Sequence, residues 1–313
     1  MNNYVVETDR LVGGYGKSLV LRQVSLRVPH GTIFGFLGPN GAGKTTALRM
    51  ILGLLRPYSG TVSLFGQPLP AALPSVLKRV GSLIEQPSLY DHLTGAENLQ
   101  IAALLRGAGT AEVDRVAKAM GIDSYAALRT GGYSRGMRQR LGLAIAMLGN
   151  PEFLILDEPM NGMDVDGLRA FRELLQRLNR GHGTTVLLSS HQFEEVEEVA
   201  THIGIMSESG DLLFQGSRAD LAERVPQRLV IKVRQREEAL RILADHEFEV
   251  DAAQEALFIH GGTTEMARDA NRVLMNSGVD VHHLVVELTT LESLFKNVLT
   301  TVKPWGTHRG VIQ

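Results

Sequence analysis

The stretch Thr32–Thr45, TIFGFLGPNGAGKT, decides the fold. Its first part, Thr32–Leu37, is apolar and has the length of a buried strand, and a helical pattern runs from Lys44 to about Leu55. Between them, Gly38–Thr45 fits the spacing G-x-x-x-x-G-K-S/T. A strand before this motif and a helix after it are the context that a phosphate-binding loop requires. The stretch therefore predicts that a nucleoside triphosphate binds at the start of the helix.

The residue types of this loop suit a phosphate group. Glycines allow successive backbone N–H groups to point at one anion, and the helix N-terminus adds partial positive charge. We expect Lys44 to reach the β- and γ-phosphates and Thr45 to bind Mg²⁺. The residues expected to contact the nucleotide here are Gly38, Pro39, Asn40, Gly41, Ala42, Gly43, Lys44, Thr45 and Thr46.

Two acidic residues follow a second apolar run. Phe153–Leu156 predicts a buried strand that leads directly into Asp157 and Glu158. Ligands of open α/β sheets bind at the carboxyl ends of the strands, where these two acids are expected. We expect Asp157 to order Mg²⁺ through its water shell and Glu158 to polarise a water in line with the γ-phosphate.

The surrounding pattern predicts an α/β fold. Short apolar runs at Thr185–Leu188 and Ile203–Met206 suit strands of a parallel sheet covered by helices on both faces. Residues 1–40 alternate as antiparallel hairpins do, and Leu93–Leu148 reads as helical, with a capping box that begins at Thr94. We predict a P-loop NTPase (RecA-like) core sheet with an N-terminal antiparallel β subdomain and an inserted helical subdomain at about 87–148.

The pattern changes again after about Arg224. Strand-like and helix-like segments alternate there, which predicts a small C-terminal α+β domain. We expect domain limits of 1–224 and 225–313. The predicted elements of this second domain are Leu229–Val233, Arg236–His246, Ala256–Ile259, Thr264–Ser277, Val281–Glu287 and a closing helix Leu291–Leu299.

Composition narrows the function classes. The 32 Lys and Arg residues against 34 Asp and Glu residues leave a formal net charge of −2, which favours no nucleic-acid partner. Cysteine is absent, so thiolate metal sites and disulfides are excluded. The start of the chain shows no secretory signal, and the longest apolar run, Leu141–Leu148, is too short to cross a bilayer. These features favour a cytosolic location.

Further motifs choose among the proteins that share this loop. Tyr133–Leu141 precedes a helix with Ser134 as a candidate N-cap, Asn161–Asp164 follows the two acids, and His191 follows the strand predicted to start at Thr185. In this order, over residues 4–222, the chain resembles the nucleotide-binding subunit of ATP-binding cassette (ABC) transporters.

The resemblance implies roles for these residues. Tyr15 matches the aromatic residue that stacks on adenine, and His191 the switch histidine that contacts the γ-phosphate. Ser134 and Gly136 match the signature loop, which binds the γ-phosphate held by a second subunit, and Asp164 matches the acid that crosses between the two sites. Since one set of motifs gives half of each shared site, the resemblance implies a dimer closed by ATP, most simply a homodimer.

The chain departs from the common family pattern at two places. The usual signature Leu-Ser-Gly-Gly-Gln is replaced by Tyr133–Met137, in which Arg135 adds a cation and Met137 removes half of a capping box. Where the family has a glutamine near the metal site, the register points to Glu85. The resemblance thus implies that Glu85 is a catalytic residue and a Mg²⁺ ligand, and its carboxylate would add negative charge near the ion. A shift of one residue would instead place Gln86 there.

The glutamate variant and the segment 287–295 resemble exporter subunits that protect bacteria from lantibiotics and bacitracin-like peptides. The implied cofactors are ATP and Mg²⁺, and the implied partner is a membrane permease that holds the subunit at the inner face of the cell membrane. Two alternatives remain: a soluble ABC ATPase acting on ribosomes or DNA, and a regulatory role for the C-terminal domain in sensing a small molecule. The acidic residues at 194, 195, 197 and 198 are expected to form an exposed helix face.

Overall fold

The computed structural model of the protein describes residues 3–224, 228–253 and 256–287. The chain forms two compact units, the first of which runs to Arg218 while the second begins at Ala219. The domain limits expected from the sequence, 1–224 and 225–313, stay a prediction. Across the described ranges, each helix is too short or too polar to pass through a membrane.

The N-terminal part forms an antiparallel sheet. Its strands follow the order β2-β1-β5-β6, and β3 also pairs with β1. The hairpins predicted from the alternating pattern are therefore confirmed. The strands are β1 (Tyr4–Tyr15), β2 (Ser18–Val24), β3 (Arg27–Pro29), β5 (Ser59–Leu64) and β6 (Gln67–Pro68).

A six-stranded sheet forms the centre of the first unit, in the order β11-β10-β4-β9-β8-β7. Five strands are parallel, and β11 is an antiparallel edge strand paired with β10. Every residue of β4, β8 and β9 is buried, as expected of strands covered on both faces. The strands are β4 (Ile33–Leu37), β7 (Val80–Leu83), β8 (Phe153–Leu156), β9 (Thr185–Ser190), β10 (His202–Met206) and β11 (Leu212–Ser217).

The helical segment between β7 and β8 contains the predicted capping box. The Thr94 hydroxyl accepts a hydrogen bond from the Glu97 backbone N–H, and the Glu97 carboxylate accepts one from the Thr94 N–H at 2.7 Å. The helices of the first unit are α1 (Lys44–Ile51), α2 (Leu73–Val76), α3 (Gly95–Arg106), α4 (Thr110–Ala119), α5 (Arg135–Ala146), α6 (Val165–His182) and α7 (Phe193–Glu197), and α8 (Arg218–Arg224) begins at its last residue.

The sequence prediction placed the end of one helix too late and missed an edge strand. Helix α1 ends at Ile51 and not at Leu55, because Gly53 has a φ of 71° and its backbone packs against Leu73. The edge strand β11 was not predicted at all. Its apolar start at Leu212 is a short run beside the longer and more regular run of β10, so periodicity gave little signal.

A continuous core joins the two sheets of the first unit. Side chains of the antiparallel sheet pack with β4, β8 and α1 in one cluster, which includes Val6, Leu21, Phe36, Leu48 and Phe153. This packing holds the carboxyl end of β4 and the start of α1 in place. The loop between them is therefore supported from both sides.

The second unit has the order β-α-β-β-α-β, with a four-stranded sheet ordered β13-β14-β12-β15. All neighbouring strands are antiparallel, which is the ferredoxin-like arrangement. The elements are β12 (Arg228–Val233), α9 (Arg236–Asp245), β13 (Val250–Ala253), β14 (Ala256–His260), α10 (Thr264–Asn276) and β15 (Val281–Glu287). The predicted closing helix Leu291–Leu299 lies outside the described residues.

Candidate functional site

The predicted phosphate loop lies between β4, which ends at Leu37, and α1, which begins at Lys44. Gly41 and Gly43 have φ values of 84° and 93°, in the left-handed region that favours glycine. A Cβ atom on Gly43 would lie 2.6 Å from Leu21 Cδ2, so a side chain has no room there. The loop therefore needs glycine at residue 43 for both conformation and packing.

Lys44 is held inside the loop. Its side chain is 6% exposed, and its Nζ donates hydrogen bonds to the carbonyl oxygens of Gly38 at 2.7 Å and Pro39 at 3.1 Å. Glu158 Oε1 lies 3.5 Å from the same nitrogen. Burial lowers the pKa of Lys44, and the attraction of Glu158 and Asp157 opposes this shift. The loop thus presents a fixed cation beside the two acids.

Asp157 is buried and joined to the loop by Thr45. The Thr45 hydroxyl donates to Asp157 Oδ2 at 2.7 Å, and the Ser189 hydroxyl donates to Oδ1 at 2.5 Å. A hydroxyl oxygen and a carboxylate oxygen side by side are suitable ligands for Mg²⁺, which prefers oxygen ligands. Two of the three residues that the sequence assigned to the metal, Thr45 and Asp157, are therefore in direct contact, and the third, Glu85, is described below.

Glu158 takes a backbone conformation that is rare for a side chain of its kind, with φ at 47°. Its N–H donates to the Ser189 hydroxyl at 2.9 Å, which fixes this strained position. On its carboxylate, Oε2 lies 2.8 Å from His191 Nδ1 and 3.3 Å from the Asn161 amide nitrogen. Strain that the surroundings maintain is common at active sites.

His191 directly follows the last residue of β9, so the parallel sheet brings it to the end of β8, where the two acids lie. Because a carboxylate only accepts hydrogen bonds, Nδ1 carries the proton in the contact with Glu158. The structure thus brings together five residues singled out from the sequence: Lys44, Thr45, Asp157, Glu158 and His191.

The sequence reasoning missed Ser189. This side chain is fully buried, and its hydroxyl bridges the Asp157 carboxylate and the Glu158 backbone. A signal did exist, because a polar Ser-Ser pair ends an otherwise apolar strand. Only the pairing of β8 with β9 shows that the first serine of the pair faces the acids.

One acid behind the site corrects the sequence prediction. Glu195 was expected on an exposed helix face, but it is 8% exposed and accepts a hydrogen bond from the Ser190 hydroxyl at 3.1 Å. Burial raises the pKa of Glu195. Helix α7 has only five residues, too few for its acidic residues to form the regular solvated face that the spacing suggested.

The signature loop begins α5. The Ser134 hydroxyl accepts a hydrogen bond from the Met137 N–H at 3.3 Å and is the N-cap, as the sequence predicted. A Cβ on Gly136 would lie 3.3 Å from the Gly162 carbonyl oxygen, and one on Gly162 would lie 3.0 Å from Arg135 Cδ. The loops at 134–136 and 161–164 therefore pack closely.

Asp164 is the N-cap of α6. Its carboxylate accepts a hydrogen bond from the Gly167 N–H at 3.0 Å and lies 3.5 Å from the Arg140 guanidinium. Its side chain is otherwise exposed. Among the described residues, the side-chain hydrogen bonds of Ser134 and Asp164 go to Met137, Arg140 and Gly167, and none goes to the phosphate loop.

Glu85 and Gln86 both line a cavity of about 410 Å³. Asp157, Glu158 and Asn161 line the same cavity, together with Arg135, Arg138 and Gln139 of α5. Glu85 has a φ of 61° and is, after Glu158, the second acid of the site with a strained backbone. Its Oε1 accepts a hydrogen bond from Arg49 Nη2 at 2.5 Å. The whole turn thus faces the acids, and the role of each residue in it stays a prediction.

Tyr15 lies at the end of β1 and is half-exposed. Its hydroxyl oxygen accepts a hydrogen bond from Arg49 Nη1 at 2.6 Å. A half-exposed ring is accessible to a base that stacks on it. Arg49, which the sequence reasoning did not single out, contacts both Tyr15 and Glu85.

Comparisons with known proteins agree with this geometry. Residues 21–161 match the family described as ABC transporter. The bacitracin transport ATP-binding protein BcrA of Enterococcus faecalis is 44% identical over 222 residues, which cover 71% of this chain and 72% of the relative. The protein of the same name from Bacillus licheniformis is 33% identical over 94% of this chain and 97% of its own length.

A solved structure shares the fold. The ATP-binding subunit of an ABC transporter superposes with a TM-score of 0.64 at 28% identity, over 70% of this chain and 92% of that subunit. The predicted fold class is therefore confirmed. The resemblance to proteins of the bacitracin branch, predicted from Glu85 and the C-terminal segment, is confirmed as well.

Proposed function

The chain belongs to the ABC transporter family and is an ATPase, and from this premise we propose that it closes as a dimer around ATP and powers a separate membrane permease. The observation that supports this most directly is the cluster of Lys44, Glu158 and His191 at the carboxyl ends of three neighbouring strands. A cation, a candidate base and a proton donor converge there, beside a loop built to hold phosphate.

The hydrolysis step follows from the positions of these residues. Lys44 neutralises charge on the β- and γ-phosphates, and the loop amides hold their oxygens. Glu158 accepts a hydrogen bond from a water, which attacks the γ-phosphorus as the bond to the bridging oxygen of ADP breaks. His191 holds the Glu158 carboxylate through Nδ1, and in this proposal its other nitrogen contacts the γ-phosphate. The products are ADP and inorganic phosphate.

Thr45 and Asp157 are the residues that would hold Mg²⁺, and the ion supplies positive charge to the β- and γ-phosphate oxygens. Ser189 keeps the Asp157 carboxylate in place for this task. Glu85, which lines the same cavity as Asp157 and Glu158, is the third acid there and a further candidate to hold the ion, and its ion pair with Arg49 compensates the added negative charge.

The shared site requires a second subunit. Ser134 and Gly136 are at the N-terminus of α5, where the backbone N–H groups and the helix dipole favour an anion. Within the part of the chain that the structure describes, no hydrogen bond joins Ser134 or Gly136 to the phosphate loop of their own chain. We propose that they bind the γ-phosphate held by another copy, with Arg135 adding a cation and Asp164 lying between the two sites.

The transported compound is an antimicrobial peptide or a similar amphipathic compound, moved out of the cell. The name of BcrA, a bacitracin transport ATP-binding protein, supports this class. In this proposal the permease binds at the helical subdomain around Glu85–Asn98 and keeps the subunit at the cytoplasmic face of the membrane. None of the relatives described above favours a ribosomal or DNA partner.

The test uses Glu158→Gln, which keeps the shape of the side chain but removes its capacity to polarise water. Size-exclusion chromatography with light scattering is run with Mg-ATP and without nucleotide. We expect a monomer without nucleotide and a dimer with Mg-ATP, because ATP that binds only the closed dimer stabilises it by mass action. A monomer that still binds ATP, as measured by calorimetry, would overturn the shared-site proposal.

A further inference from the structure

Arg49 joins two parts of the site that are far apart in the sequence. Its Nη1 donates to the Tyr15 hydroxyl at 2.6 Å, and its Nη2 donates to Glu85 Oε1 at 2.5 Å. Tyr15 ends β1, whereas Glu85 follows β7 on the other sheet of this unit. One guanidinium thus connects the end of β1 with the turn that follows β7.

Arg49 is carried by a helix that packs into the core. Arg49 belongs to the last turn of α1, the helix that begins with Lys44 and Thr45, and its neighbours Leu48 and Met50 are buried in the core. The guanidinium carbon is also 5.9 Å from the centre of the Tyr15 ring, within reach of a cation–π interaction. Arg49 therefore has a fixed position relative to the phosphate loop.

An ordinary surface role is the competing explanation. A cation in the last turn of a helix is favourable, and an exposed ion pair contributes ~0–1 kcal/mol at most sites. Such a role predicts no preference between arginine and lysine. Two separate hydrogen bonds at an angle set by one planar group, however, require a guanidinium, because an ammonium is a single point of charge.

Glu85 gives the contact its chemical meaning. Glu85 lines the same cavity as Asp157 and Glu158, and its backbone is in the left-handed region. Like charges around one cavity repel one another, and cations compensate them: Lys44 lies beside Glu158, and Arg49 lies beside Glu85. Among the described residues, Arg49 is the basic partner recorded for Glu85. The hydrogen bond to Tyr15 makes the largest contribution to a raised pKa of Arg49, so this group stays charged.

We infer that Arg49 is a positioning residue that couples the base-contacting Tyr15 to Glu85. The inference rests on the proposed function, in which Tyr15 contacts the base of ATP and Glu85 lies near the reacting phosphate. Through Arg49, a base that orders Tyr15 also orders the Glu85 carboxylate. In the other direction, a movement of the turn at Glu85 shifts Tyr15 through Arg49 and so changes the affinity for the nucleotide.

The experiment is a set of double-mutant cycles in the full chain. Arg49→Ala, Arg49→Lys, Tyr15→Phe and Glu85→Ala are made singly. Arg49→Ala is then combined with Tyr15→Phe and, separately, with Glu85→Ala. We expect Arg49→Ala to raise KM for ATP and lower kcat. In the Tyr15→Phe background the KM effect should shrink, and in the Glu85→Ala background the kcat effect should shrink, each by at least about threefold.

A second measurement separates positioning from a general effect on the loop. Calorimetry compares Mg-ATP with Mg-tripolyphosphate, which has the phosphates but no base. Arg49→Ala should weaken ATP binding by about threefold or more beyond any effect on tripolyphosphate, because Tyr15 can contact only the base. Equal weakening of both ligands would show that the variant damages the phosphate loop instead.

Two results would overturn the inference: effects that simply multiply in both cycles, or full rescue by Arg49→Lys, which keeps the helix-end charge. Thermal unfolding of each variant checks that it is folded, and Tyr15→Phe and Arg49→Lys are mild enough to carry the test if an alanine variant is not. Failure of the proposed function looks different, because Glu158→Gln would then remain a monomer that binds Mg-ATP, whatever the outcome of the Arg49 cycles.

Discussion

His191 Nδ1 lies 2.8 Å from Glu158 Oε2. The residue that follows β9 thus holds an acid that follows the neighbouring strand β8. The other oxygen of this carboxylate faces Lys44 Nζ at 3.5 Å. Glu158 is thereby fixed between a proton donor and a cation. A carboxylate held in this way pays little to reorganise when a water must be aligned with the γ-phosphate.

Replacement of His191 by alanine should slow hydrolysis. Without the Nδ1 contact, the Glu158 carboxylate is free to move towards Lys44, and the phosphate loses a nearby hydrogen-bonding group. We expect kcat to fall by about 10²-fold or more, the range of an acid–base contribution, with a smaller change in ATP affinity. Steady-state ATPase assays and calorimetry measure the two quantities.

The matched control for His191 is Gln192→Ala, since the Gln192 side chain is the exposed neighbour. It should retain nearly the full rate. Equal kcat values for His191→Ala and the unmodified chain would contradict the assigned contact.

Gly43→Ala should disable the phosphate loop, whereas Gly41→Ala should only weaken it. Both residues have left-handed φ values, so alanine costs each about 1–2 kcal/mol. At Gly43 the new Cβ would also lie 2.6 Å from Leu21 and 2.9 Å from Val20, whereas at Gly41 it meets nothing within 4 Å. Overpacking of this kind adds about 1–3 kcal/mol.

Chemical denaturation and ATP calorimetry compare the two glycine variants. The Gly43 variant should lose more unfolding free energy and bind ATP far less tightly than the Gly41 variant. Equal losses in the two proteins would show that packing against β2 does not support the loop.

The sequence predicted the site well where one segment carries the whole signal. Gly38–Thr45 is such a segment, because the strand, the glycines and the helix are contiguous. The Thr94 capping box and the Ser134 N-cap were likewise predictable, since a cap involves residues only three apart.

Contacts between segments were harder to predict. Ser189 and Arg49 escaped notice because their partners are at least 31 residues away, and nothing local marks them. Glu195 was placed wrongly for the opposite reason. Its neighbouring acids suggested a solvated helix, but the short α7 turns this one side chain into the protein. Periodicity describes one element and gives no information about what packs against it.

Removal of the Ser189 hydroxyl should affect the metal site before it affects the fold. Ser189→Ala leaves one oxygen of the buried Asp157 and the Glu158 N–H without their partner. Each loss costs about 1–3 kcal/mol. We expect a lower kcat and a higher Mg²⁺ concentration at half-maximal ATPase activity, measured by titration of the metal at saturating ATP.

Ser190→Ala is the matched control for Ser189. Ser190 is equally buried, but its hydroxyl contacts Glu195 and the Gln192 backbone and not the two acids. The control should lose stability with little change in the Mg²⁺ requirement. If both serine variants shift the metal titration alike, Ser189 has no specific role at Asp157.

Glu195 should make stability depend on pH. Burial raises its pKa above the ordinary glutamate value of 4.5, so the folded state retains this proton to a higher pH than the unfolded state does. The contribution of Glu195 to stability is then full below pH 4.5 and is lost as the pH rises through the folded-state pKa.

Glu195→Gln cannot ionise and keeps an oxygen that accepts a hydrogen bond from Ser190. The unfolding free energy of this variant, relative to the unmodified chain, should therefore increase with pH over this window. Denaturant unfolding of the two proteins from pH 4.5 to 7.5 measures this difference, and a difference that stays constant with pH would refute a buried, proton-retaining Glu195.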